Sequence, residues 1–328
     1  MEKIITGFIA VFLLSFANSV LAEPHIPKPD SFSAISQEQY QEMLEQIQAL
    51  QEKVETLENY IQAIGRFSIP KEIEFCGQKM PIDKWYVREE LDKQLLALSY
   101  NRRQVVTWMK RSGKFFPYME SELKRTKLPD CLKYLIIAES SLLEDASSRA
   151  GAKGIAQFMK ETGRLYNLSY SEFVDERMNF EKSITAAFSH LRDLHNEFGD
   201  WPLALAGYNA GAGKVREVKR VQGVGEYWRM LFLNKNGVST ETNSYVYKII
   251  AVKLIFEDPK SFGFLLGEDD VFLTPETKEI VVALSRPTLL TDIARRYQTS
   301  FFEIKKLNPW IRGANLGKGT WRLKIPAN

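Results

Sequence analysis

Residues 129–141 read Pro129-Asp130-Cys131-Leu132-Lys133-Tyr134-Leu135-Ile136-Ile137-Ala138-Glu139-Ser140-Ser141. Pro129 and Asp130 are helix-start residues, one through its fixed φ and the other through an acceptor for unpaired N–H groups. Leu132, Leu135, Ile136 and Glu139 then fall at i, i+3, i+4 and i+7, which is one stripe of a helix. The stripe that buries three aliphatic side chains also carries a carboxyl. Desolvation disfavours its charged form, and the unpaired carbonyls of the last helical turn oppose a negative charge further, so both effects raise the pKa of Glu139. A carboxyl protonated near neutral pH is a general acid. The same pattern also fits a structural Glu that snorkels out or pairs with a cation, so the neighbours decide.

Working outward, Gly154-Ile155-Ala156-Gln157-Phe158-Met159 predicts a helix start, with the Gln157 amide available to a polar substrate group. Asp200-Trp201-Pro202 predicts a capped start with proline in the first turn, and Trp201, Ala204, Leu205 and Tyr208 form one stripe. That helix ends in Tyr208-Asn209-Ala210-Gly211, a phenol and an amide at a glycine-rich terminus, both suited to neutral hydroxyls and acetamides. Tyr245, Ile249, Val252 and Phe256 share another helical face, so Tyr245 points inward, where its hydroxyl needs a partner.

The composition limits the chemistry. At 328 residues two or three domains are expected, and 45% hydrophobic with 26% charged residues excludes global disorder. Lys+Arg 44 against Asp+Glu 41 leaves a net charge of +3, too balanced for a nucleic-acid coat or a polybasic membrane binder. Two cysteines and three histidines supply too few ligands for a zinc ribbon or an iron–sulfur site, so no metal or cofactor is expected. His190 and His195 are wrongly spaced for a shared helix face. Gly213-Lys214 lacks the first glycine and the Ser/Thr of a phosphate loop, and Gly223-x-Gly225 lacks the third glycine of a dinucleotide fingerprint. Whether Cys76 and Cys131 pair is left open by the sequence.

Residues 1–22 read as a secretory signal, a lone Lys3 before the apolar run Ile4 to Leu21, with cleavage expected after Ala22. Export to the periplasm follows, with no stable membrane span after cleavage; secretion or an uncleaved anchor helix are the alternatives. Residues 23–35 are a proline-rich extended spacer. Over residues 36–65, Tyr40, Met43, Ile47, Leu50, Val54, Leu57, Ile61 and Ile64 recur at spacings of three and four, a heptad seam that predicts a coiled coil and a homo-oligomer through residues 40–64. Residues 66–270 form the main domain, with amphipathic helical sequence from Val87 to Arg111, and residues 279–328 a separate small module with a β-branched start and a β-like finish.

Glu139-Ser140, Gly154-Ile155-Ala156-Gln157, Gly207-Tyr208-Asn209-Ala210-Gly211 and the distal Tyr245, in this order and spacing, resemble the lytic murein transglycosylase family, most closely its transglycosylase D type. Phe158-Met159 with Thr162-Gly163-Arg164-Leu165-Tyr166 extends the resemblance, whose motif core covers 117–262. Ala156 and Gly207 depart from the usual Trp and Ala. The resemblance implies a mainly α chain with a lysozyme-like helical domain and peptidoglycan glycan strands as substrate. It also implies one acid, Glu139, in place of the two carboxyls of ordinary glycosidases. Glu144, Asp145 and Glu161 lie outside the motif set. By the same resemblance Ser140, Gln157, Asn209 and Tyr245 orient the sugar and Tyr208 lines the cleft. A goose-type lysozyme-like hydrolase and a non-catalytic wall-binding scaffold are the alternatives. Residues 280–326 resemble a LysM repeat, a βααβ glycan-binding unit, through Leu290, Ile293-Ala294-Arg295-Arg296-Tyr297, Leu307-Asn308-Pro309-Trp310 and Gly319 to Pro326, with a divergent entry at Ser285-Arg286-Pro287.

Overall fold

The computed structural model describes residues 37–63, 67–233 and 237–327. The expected signal segment 1–22, the spacer 23–35 and Ile64 of the seam lie outside the described residues. The chain divides into two compact units, Met1–Asn59 and Tyr60–Asn328. Helix α1, Gln37–Ala63, runs through most of the heptad stretch. Along it Met43, Ile47, Leu50, Val54 and Leu57 are 44–59% exposed, an apolar row facing water.

The second unit begins with a hairpin, β1 Glu74–Phe75 and β2 Gln78–Lys79, paired antiparallel. Its two turn residues, Cys76 and Gly77, take φ of 51° and 79°, the left-handed pair of a type I′ turn that suits the twist of the strands. Cys76 is bonded to Cys131, with Cα atoms 5.7 Å apart, which settles the pairing the sequence left open. The predicted helical stretch from Val87 is two helices, α2 Trp85–Tyr100 and α3 Arg102–Thr126. Asn101, at φ −87° and ψ 53°, leaves the helical region between them.

A 3₁₀ turn at Asp130–Leu132 leads into α4, Lys133–Ser140. There follow α5 Lys160–Leu165, α6 Phe180–Phe198, α7 Trp201–Ala210, α8 Ala212–Gln222, α9 Tyr227–Leu233 and α10 Thr240–Glu257. Helix α10 is the axle of this body, packed on α2, α4 and α7 through Val246, Ile249, Ile250, Val252 and Ile255. Each such aliphatic side chain contributes roughly 1.5–3 kcal/mol when removed from water. Helix α7 is capped by the Asp200 side chain, which accepts from Leu203 N, and it is buried on all sides from Trp201 to Gly207 rather than along one stripe. Its Gly207 has a packing reason: a Cβ there would meet Phe198 Cε2 at 2.9 Å and Leu194 Cδ2 at 3.1 Å, so the missing methyl lets α7 approach α6.

At the C-terminal end β3 Thr277–Leu284 pairs antiparallel with β6 Gly319–Pro326, from Thr277 opposite Pro326 to Leu284 opposite Gly319. Between them lie β4 Thr288–Leu289, α11 Leu290–Arg296, α12 Phe301–Leu307 and β5 Asn315–Leu316, with β4 and β5 paired antiparallel. Ser300 and Glu303 form a capping box at the start of α12. Val282, Leu290, Ile293, Ile304, Leu323 and Ile325 make a core of their own, joined by Val174 from the helical body. The module keeps this core of its own within the unit Tyr60–Asn328. Among the described residues no helix is long and apolar enough to cross a membrane.

Candidate active site

Glu139 stands one residue before the end of α4. The helix stops because Ser141 and Leu142 both turn left-handed, at φ 58° and 59°, while Ser141 N donates back to Ile137 O at 2.9 Å. Arg111 Nη1 donates to Ser141 O at 2.8 Å and fixes this turn from α3. Leu132, Leu135 and Ile136 are fully buried as their stripe predicts. Glu139 itself is only partly buried, so it sits at the open end of the stripe rather than inside the core.

The Tyr245 hydroxyl of α10 donates to Glu139 Oε1. One turn further on the same helix, Lys248 places Nζ 3.5 Å from Ala138 O and lies over the Trp108 ring at 5.7 Å from its centroid. Among the described residues no ion pair includes Glu139. Desolvation therefore dominates and raises the Glu139 carboxyl to about 7, against the opposing pull of the Tyr245 hydrogen bond and the Lys248 charge. Lys248 is itself lowered by desolvation, with the Glu139 charge working the other way. Tyr208 and Tyr245 are raised by burial first and by the Glu139 charge next, which marks the three groups as sharing one locale.

Gln157 departs from its predicted setting. Residues 153–158 form a bridged turn, with Lys153 paired to Phe158, and α5 begins only at Lys160. Gln157 has φ 50°, and its Nε2 donates to Gly154 O at 2.8 Å and Ala146 O at 3.3 Å, so the amide nitrogen holds the loop together. Gly154, at φ 80°, is required here: a Cβ would lie 1.6 Å from Arg177 O. The loop meets the locale of Glu139 through Ala156, whose carbonyl accepts from the Tyr208 hydroxyl at 2.7 Å.

Ser140 is buried, and its hydroxyl donates to Ile136 O at 3.3 Å and accepts from Leu143 N at 3.3 Å. It secures the helix end one residue beyond Glu139. Asn209 is exposed at the end of α7 and accepts from Thr242 Oγ1 at 2.9 Å. The structure thus brings Tyr245 onto Glu139 and Tyr208 beside it, and gives Ser140, Gln157 and Asn209 backbone or hydroxyl partners nearby.

Three contributors escape the sequence reading. Lys248 carries a signal in hindsight, since it lies three residues from Tyr245 on one helix face. His190 has its ring among Tyr166, Tyr208 and Phe158, with centroids at 5.0, 5.1 and 6.2 Å, and burial lowers it to about 4, so a neutral ring backs Tyr208. Arg177 seats the 151–158 loop, through contacts no local pattern announces.

Of the other carboxyls, Glu144 is paired with Lys114 at 2.7 Å, Glu161 with Arg164 at 3.1 Å, and Asp145 is exposed. No cluster of three or more His, Cys, Asp or Glu suited to a metal occurs among the described residues. Two hollows, of about 640 and 660 Å³, lie between the helical body and the C-terminal module and beside α6, and neither is lined by Glu139. The site is identified by its chemistry, a partly buried titratable acid without an ion pair among the described residues and beside two inward tyrosines.

The chain is 30% identical over 237 residues to membrane-bound lytic murein transglycosylase D of Escherichia coli strain K12, covering 70% of this chain and 49% of that protein. It is 29% identical over 119 residues to membrane-bound lytic murein transglycosylase F of Desulfosudis oleivorans, covering 34% and 25%. The chain therefore spans about half the length of the transglycosylase D proteins it matches. Among solved structures, an inactive mutant of the lytic transglycosylase Slt from Pseudomonas aeruginosa superposes with a TM-score of 0.37 at 24% identity, over 44% of this chain and 24% of that one. Residues 117–231, from the middle of α3 through α9 and with Glu139, Gln157, Tyr208 and Asn209 inside them, match the family described as the transglycosylase SLT domain.

Proposed function

We propose that this chain is a peptidoglycan lytic transglycosylase that cuts the β-1,4 bond between MurNAc and GlcNAc without consuming water. The observation that carries the reading is Glu139: a carboxyl raised to about 7, hydrogen-bonded by Tyr245 and without an ion pair among the described residues. Protonated Glu139 gives its proton to the glycosidic oxygen as the bond to C1 breaks. The resulting carboxylate then takes the proton of the MurNAc C6 hydroxyl as that oxygen bonds to C1. The product is a 1,6-anhydro end, and Glu139 returns to its starting state. Tyr245 stabilises the carboxylate form by donating to it, and Lys248 supplies a cation of the right sign nearby. Tyr208 lines the cleft, and Ser140, Gln157, Asn209 and Tyr245 orient the sugar, the first three from the turns that they hold.

The lysozyme-like helical body, a LysM-like reading of residues 279–328 and export through residues 1–22 to the periplasm belong to the same proposal. The exposed row on α1 supports self-association through residues 40–64, since a second copy would cover an apolar seam that water now meets. The test is the mass of products released from purified sacculi by the wild type and by Glu139→Gln. Ends lighter by one water than reducing MurNAc, abolished in the variant, support the reading. Reducing ends would reassign the chain as a muramidase, and binding without any release would leave a wall-binding scaffold.

A further inference from the structure

We infer that the loop joining α12 to β5 braces the candidate site through Arg177, so that the C-terminal module positions the 151–158 loop as well as any glycan it holds. The inference rests on the proposed role of Glu139 and concerns the wall beside it.

The seam is built like a short sheet. Val174 and Ile311 form an antiparallel bridge, Asp175 N donates to Trp310 O at 2.8 Å, and Arg312 N donates to Phe173 O at 2.8 Å. Arg312 Nη1 adds a bond to Ser171 O at 2.8 Å. Val174 is 3% exposed and belongs to the core of the module, while the Phe173 ring is pressed so closely on Gly317 that a Cβ there would lie 2.6 Å away. Backbone pairing combined with an exchanged core side chain makes a fixed contact rather than a tether.

From this seam the geometry leads inward in two steps. Asp175 holds Arg177 in a bidentate pair, Nε to Oδ1 at 2.9 Å and Nη2 to Oδ2 at 2.7 Å, both side chains buried. Arg177 Nη1 then donates to Gly151 O at 3.0 Å and Phe158 O at 3.1 Å, the two ends of the loop, while its own carbonyl abuts Gly154. The loop contains left-handed φ values at Gly151, Gly154 and Gln157, conformations that need outside contacts to persist. Its Ala156 carbonyl is the acceptor that fixes Tyr208. Arg177 is on this account a positioning residue, and residues 310–312 are the support against which it is set.

The test uses the full chain with Val174→Asp, which places a charge in the shared core, and separately Arg312→Ala, a milder break of the same seam. Turnover is measured on soluble murein fragments too short to bridge a distant glycan-binding face, together with hydrogen exchange of residues 151–158 and of α10. Both variants are expected to lose about tenfold in kcat, within the range that small misplacements produce, with little change in KM. Protection is expected to fall at 151–158 and to persist in α10. Arg177→Lys, which keeps the charge and loses the fork, is expected to act in the same direction. Unchanged protection at 151–158 in both seam variants overturns the inference, as does unchanged kcat in both, or a loss of protection that is equal in α10. Absence of turnover in the wild type would instead sink the reading of Glu139 and leave the exchange measurement to decide on the brace.

Discussion

Glu139, partly buried, and Asp175, wholly buried, are both carboxyls set against the helical core, and the chain treats them in opposite ways. Asp175, 1% exposed, meets the fork of Arg177 with two short bonds. Glu139 meets a phenol, with a lysine near enough to act only through space, and is raised to about 7. A buried acid paired in full gives rigidity, and breaking such a pair is costly because the survivor is stranded. A partly buried acid left without an ion pair keeps a proton that it can deliver. The first kind of site builds the wall, the second is the one proposed for the chemistry, and the 151–158 loop runs from the Arg177 fork to Tyr208, whose neighbour is Glu139.

The largest effect should come from Glu139→Gln, which preserves shape and removes the transferable proton. Turnover on sacculi is expected to fall by about 10²–10⁴, read as released anhydro-ended muropeptides; retained release would erase the distinction between the two acids. Next, Asp175→Ala strands Arg177 and is expected to cost about 3–5 kcal/mol in urea unfolding. A loss of under about 1 kcal/mol would mean the pair behaves as a surface contact.

A third effect concerns stability against pH. The folded pKa of Glu139, about 7, lies above the ordinary 4.5, so the stability it contributes is full below 4.5 and is lost as pH rises through about 7. Glu139→Gln does not titrate, so its stability relative to wild type should climb over that window by on the order of 3 kcal/mol and stay level above it. A flat difference would place Glu139 in water. The smallest expected effect is that of Tyr245→Phe. It removes a donor that favours the carboxylate, so the alkaline limb of kcat/KM should move upward from about 7, with about a tenfold loss of rate. A downward move would reverse the role assigned to the phenol.

The placement of Glu139 is legible because its information is local: Leu132, Leu135, Ile136 and Glu139 lie within about two turns, and the helical period alone groups them. Tyr245 was readable for the same reason, through Ile249 and Val252. The loop at Gln157 was misread because Gly154-Ile155-Ala156-Gln157 looks like a helix entry, whereas its shape is imposed by the Arg177 carbonyl against Gly154. Asn101 broke a helix that periodicity ran straight through, since the pattern of apolar residues continues across it. The docking of residues 310–312 on 173–175 left no trace in either segment, because backbone pairing between distant stretches writes no motif. For the same reason the sequence of α7 shows only one stripe, Trp201, Ala204, Leu205 and Tyr208, when every residue from Trp201 to Gly207 is enclosed.

The bond between Cys76 and Cys131 has a consequence of another kind. It fastens the hairpin turn to the segment that becomes α4, about two helical turns ahead of Glu139. Closing a span of 55 residues withdraws entropy from the unfolded chain worth about 4 kcal/mol. The footing of the helix that carries Glu139 is therefore answerable to electrons. Where glutathione keeps thiols reduced, the same polypeptide holds its acid on packing alone, and it acquires its rivet only where oxidants prevail.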